Sequence, residues 1–176
     1  MTALLGFLCL VIVCYDLVFR RVPNGVLLLA LLVHIGYLIA AGHGIAGTDV
    51  WQSLIGGGFA LIVFVPLSVW RVMGAGDVKF LVVLGVLLGL KGLIAVWVLG
   101  SLLAGVHALV FYSSKIWATA MPVGLHRLMQ QMANSEMYQR MLDARQGRKG
   151  IPYAAYLAIG VIFALITTWG LSLIHI

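Results

Sequence analysis

Apolar residues fill most of this chain in six stretches, roughly 3–19, 25–41, 52–70, 78–90, 92–112 and 152–173. A helix that crosses a membrane needs about 20 apolar residues, with a range near 17–25. The first, second, third, fifth and sixth stretches meet that length. The fourth is short, and only Gly89-Leu90-Lys91-Gly92 separates it from the fifth. A single helix over 78–112 would be about 52 Å long, well beyond a hydrocarbon core of roughly 30 Å. The pattern therefore predicts two spans there and six in all.

Local signals agree with those limits. Trp51 and Trp70 bracket the third stretch, as interfacial anchors do. Pro23-Asn24 and Ile151-Pro152 place proline at the starts of the second and sixth, where a missing N–H costs little. Gly85 and Gly89, and Gly100 and Ala104, are small residues four apart that permit close helix packing. His34 and His107 lie inside spans and read as hydrogen-bonded bundle residues, not ligands. One long segment, about 113–151, is not a span. Leu125, Leu128, Met129 and Met132 fall at i, i+3, i+4 and i+7, with His126, Arg127, Gln130 and Gln131 opposite. That spacing predicts an amphipathic helix, or a pair, on the membrane surface. Leu128 and Met132 are its candidate substrate-docking side chains, since methionine adapts to varied partners.

Composition sharpens the class. Of 176 residues, 63% are hydrophobic and only 9% charged, against roughly 25% charged in soluble domains. The expected fold is an all-α, polytopic membrane protein, one domain over 1–176. The net charge of +6 does not point to nucleic acid, because the basic residues sit between the apolar stretches. With six spans, the segments 20–24, 71–79 and 113–151 share one side and hold Arg20, Arg21, Arg71, Lys79, Lys115, Arg127, Arg140, Arg145, Arg148 and Lys149. The other side holds only Lys91. The positive-inside rule then places those segments in the cytoplasm and both termini outside. Cys9 and Cys14 both lie in the first stretch, fit no metal-binding pair and read as small apolar residues.

Acidic residues are scarce: Asp16, Asp49, Asp77, Glu136 and Asp143. Asp49 falls in the outer loop, and Glu136 and Asp143 in the soluble segment. Asp16 ends the first span and Asp77 begins the fourth, so six spans put both on the cytoplasmic side at similar depth. Carboxylates at such a boundary are expensive unless they are used. Simpler roles exist: Asp77 as a helix N-cap, and Asp16 as the i+4 partner of Arg20 on an exposed face. Neither explains two aspartates at one depth. Two carboxylates held close do not both ionise readily, and the pair shares a proton near working pH. One then takes a proton from water while the other donates to a scissile carbonyl or leaving amine. Such peptide hydrolysis needs no metal or other cofactor. Gly74 and Gly76 would make the backbone near Asp77 pliable enough for an extended peptide to approach.

The stretch Gly74-Ala75-Gly76-Asp77-Val78-Lys79 resembles the G-x-G-D-[VI]-K signature of the type IV prepilin peptidases, membrane aspartic endopeptidases. Asp16-Leu17-Val18-Phe19-Arg20-Arg21-Val22-Pro23-Asn24 is similar to the pattern around their other aspartate, and Ile151-Pro152-Tyr153 to a late element that opens their last span. The resemblance implies Asp16 and Asp77 as the catalytic pair, with Gly74, Gly76 and Lys79 supporting the motif. It implies a prepilin substrate whose basic leader is cut just before an apolar helix, at the cytoplasmic face of the inner membrane. The absence of CxxC pairs, which longer members carry in an N-terminal segment, resembles the short branch of Flp (tight-adherence) pilus systems, with cleavage expected and methylation not. Two other readings stand beside it. One is a presenilin-like intramembrane GxGD protease, whose first aspartate lies in a Tyr-Asp pair that Tyr15-Asp16 matches. The other is a small proton-coupled transporter or channel subunit, which would favour carboxylates nearer mid-span.

Overall fold

A computed structural model of the chain describes residues 2–117, 134, 136, 139 and 152–174. Among them the regular elements are all helical: α1 (Thr2–Phe19), α2 (Asn24–Ala41), α3 (Val50–Val69), α4 (Ala75–Trp117) and α5 (Tyr153–Ile174). Leu128, Met132 and nearly all of the expected amphipathic segment lie outside the described residues. Among the described residues, three helices are long and apolar enough to cross a membrane, over Asn24–Ala41, Val50–Val69 and Ala75–Ser113, and Ala3–Phe19 and Tyr153–Thr167 are shorter apolar helices.

The helix ends follow from sequence. Pro23 is the N-cap residue of α2, with φ −71° and ψ 121°, and Leu27 N–H donates to its carbonyl at 3.3 Å. A left-handed glycine, Gly42, ends that helix. Asp49 begins α3, and its own N–H donates to Gln52 Oε1 at 3.3 Å. The end of α3 is a Schellman turn. Val72 N–H donates to Leu67 O at 2.9 Å and Arg71 N–H to Ser68 O at 3.0 Å. Arg71 takes the left-handed position, φ 58°, that such turns usually give to glycine. Arg20 does the same after α1, with φ 53°.

The fourth and fifth apolar stretches form one continuous element, α4, broken at Gly89, where φ is 67° and ψ −178°. Only glycine adopts that combination without strain. The chain turns back at this point. Ahead of it, Gly85 lies against Gly56 so closely that a Cβ on either would strike the other's carbonyl. Gly89 itself sits beside Gln52 and Thr48, at the start of α3. Beyond it, Trp97 meets Phe64, deep in the second half of α3, with ring centroids 5.4 Å apart. A helix running straight on would have left α3 behind. The two limbs, 75–88 and 90–117, therefore lie side by side. The first limb is the centre of the bundle, with Phe80, Leu81, Leu84 and Leu87 fully buried. The second limb receives α5 at Gly100, where a Cβ would come within 2.9 Å of the Leu157 Cα. Such backbone proximity is the usual reason for small residues between apolar helices. The helix α2 is peripheral, with only Leu27, Ala30 and His34 buried.

Candidate active site

Helical period aims Asp16 inward. Leu5, Cys9, Ile12 and Asp16 form one stripe, all buried, and Asp16 is only 6% exposed. The reading of Asp16 as a surface partner of Arg20 therefore fails. Arg20 has left the helix, although its charge still acts on Asp16.

Asp77 stands in the first turn of α4. The helix begins at Ala75, and Val78 N–H donates to Gly74 O at 3.1 Å, so Gly74, not Asp77, holds the capping position. A carboxylate in a first turn is favoured by the partial positive charge of the helix N-terminus. Asp77 is partly buried and close enough to Asp16 for the two charges to interact.

The third element of the site is the first turn of α5. Ala155 N–H donates to Asp16 Oδ2 at 2.9 Å, and the adjacent Ala154 amide lies close enough to the Asp77 carboxylate to act on it. Both amides belong to the group that a helix leaves unsatisfied at its N-terminus. Two carboxylates on separate helices thus meet at one positive helix end, each beside one of two successive amides. Tyr153, the residue before, places its hydroxyl 2.8 Å from Ser101 Oγ. It also lies near Trp97 and within charge range of Asp77.

Of the motif glycines, Gly74 has a steric role. Neither Gly74 nor Gly76 has a positive φ. A Cβ on Gly74 would stand 2.8 Å from Asp77 Oδ2, so Gly74 makes room for the carboxylate itself. A Cβ on Gly76 would meet Val22 at 3.7 Å, an ordinary contact. Lys79 reaches Asn24 Oδ1 at 3.5 Å, joining the Gly-x-Gly-Asp segment to the Pro-Asn that opens α2.

The structure thus brings Asp16, Asp77 and Gly74 together, with Lys79 one step away. Two pairs of contributors escaped the sequence. Ala154 and Ala155 act through backbone N–H groups, and the only trace of that role was Pro152, a mark of a helix start. Ser101 and Trp97 are isolated polar positions in an apolar stretch, with nothing local to connect them to Tyr153.

The sequence model of the type IV leader peptidase family matches residues 3–109, which include Asp16, Asp77 and the segments around them. Searches of the curated proteins and of the solved structures find no match.

Proposed function

The chain belongs to the type IV leader peptidase family, and we propose that it is an aspartic endopeptidase with Asp16 and Asp77 as its catalytic pair. The observation that carries this reading is the meeting of the two carboxylates at successive amides, Ala154 and Ala155. In the proposed reaction one carboxyl group draws a proton from water as the water attacks the scissile carbonyl. The other donates its proton to the carbonyl oxygen, giving a gem-diol. As the C–N bond breaks, the first passes the proton it took from water to the leaving amine, and the second recovers a proton from a diol hydroxyl. No covalent intermediate forms.

The proposed substrate is a prepilin of the Flp type, cut between its basic leader and its apolar helix. The proposed topology has six spans in the inner membrane, counting the two limbs of α4 separately, with the site facing the cytoplasm. The turn at Gly89 supports that count, because a reversed chain lets both limbs cross. The presenilin-like reading shares the chemistry but draws on Tyr15. That side chain is exposed and stacks on Phe19 at 4.7 Å, with Asp16 on the other, buried face.

Purified protein incubated with an Flp-type precursor in detergent should release a product with a new N-terminus at the start of the apolar helix. A precursor left intact would refute the peptidase reading and favour transport. Single cysteines at Arg21 and Arg71 should label from the cytoplasm, and one at Gly47 only from outside. Labelling of Gly47 and Arg71 from the same side would refute the topology.

A further inference from the structure

The two amides that hold the carboxylates are flanked by two tyrosines. Tyr153 precedes Ala154, and Tyr156 follows Ala155. Both hydroxyls are anchored on the second limb of α4: Tyr153 on Ser101 Oγ at 2.8 Å, and Tyr156 on His107 Nδ1 at 2.7 Å. Ser101 and His107 lie about 9 Å apart along that limb, so the first turn of α5 is fixed at two separate heights. Just before Ser101, Gly100 lets the backbone of α5 approach the limb closely at Leu157. The tyrosines also divide the site. Tyr153 lies within charge range of Asp77, and Tyr156 within that of Arg20, the cation that acts on Asp16.

We infer that Tyr153 and Tyr156 are positioning residues, a clamp that sets the Ala154 and Ala155 amides and through them the spacing of the two carboxylates. The inference rests on the dyad proposed above and adds to it a structural requirement. A single amide on each carboxylate fixes one oxygen only, so a shift of the first turn of α5 moves both acids together. The helix α5 follows a long connection from α4, and the close contact of Gly100 with Leu157 sets its register against the second limb. The hydroxyl anchors add to that register at the first turn, where the amides are. A misplacement of about 1 Å at such a site costs on the order of a hundredfold in rate, so loss of one anchor is expected to act on kcat.

The test is kinetic, on the full chain with a prepilin precursor. Tyr153→Phe should lower kcat by about tenfold with KM within twofold, and Tyr156→Phe by a smaller factor in the same parameter. Ser101→Ala should reproduce the Tyr153→Phe effect in part, Ser101→Thr should restore kcat by keeping a hydroxyl, and Tyr153→Phe with Ser101→Ala should be no worse than Tyr153→Phe alone. Thermal midpoints measured alongside identify any variant that fails to fold, and Ser101→Thr then carries the test. Wild-type kcat in both phenylalanine variants, effects confined to KM, or additivity of Tyr153→Phe and Ser101→Ala would overturn the clamp. A wild-type protein that leaves every precursor intact would instead overturn the peptidase reading on which it rests.

Discussion

Two polar clusters are buried in this apolar bundle, and they are finished differently. At the end where α2 meets α3, the His34 side chain is fully buried and every hydrogen runs one way. Ile45 N–H donates to His34 Nδ1 at 3.4 Å, which leaves the ring proton on Nε2 to donate to Ser53 Oγ at 3.0 Å. Ser53 Oγ donates to Thr48 Oγ1 at 3.4 Å, and Thr48 to Leu87 O at 3.2 Å. That last carbonyl lies beside the break at Gly89, where a helix leaves acceptors without partners. The chain of donors thus closes the loop between α2 and α3 onto the turn of α4. At the other end, Asp16 and Asp77 are like charges, each given one amide by α5, and two carboxylates have capacity for several more donors. A network in which each donor has an acceptor is architecture. A pair of acids with acceptor capacity to spare has the means for chemistry on water and a peptide.

The comparison breaks most sharply at the acids. Asp16→Asn and Asp77→Asn keep shape and remove a carboxyl group. Each should lower kcat by about 10²–10⁴, with the thermal midpoint in detergent near that of the wild type. Substantial turnover by either variant would mean that the pair is not the catalyst.

The next test separates two glycines of one motif. Gly74→Ala would press a methyl group on Asp77 Oδ2, and kcat should fall by roughly 10–100-fold. Gly76→Ala meets only Val22 at contact distance, and its kcat should stay within about twofold of wild type. Equal losses from both would show that the motif works through backbone freedom after all.

The smallest expected effect on rate comes from the closed network. His34→Ala strands Ser53 and the Ile45 N–H and leaves a cavity, which should cost roughly 2–4 kcal/mol of stability. The protein that remains folded should keep its kcat. A fall in kcat at unchanged stability would tie this distant end to the dyad through α4.

Much of this was legible in the residues. The apolar stretches, Pro23 and Pro152 located helices, because proline suits a helix start and a span needs length. Leu5, Cys9, Ile12 and Asp16 stand at helical spacing, and the structure buries that stripe. Scarcity singled out both aspartates, since an unused charge in an apolar chain is costly. The glycines around 89 marked a break between limbs.

What the tertiary structure decided lay between elements. Whether Gly74 was there for flexibility or for room depended on where the Asp77 carboxylate points. Helix register came from the close contact of Gly56 with Gly85 and of Gly100 with Leu157, and a glycine does not announce its partner. The donors to the two acids are backbone amides of alanines, and every residue but proline carries the same group. Side-chain chemistry is written position by position, so the acids could be read from the sequence. The groups that hold them depend on which helix end is brought beside them, and only packing determines that.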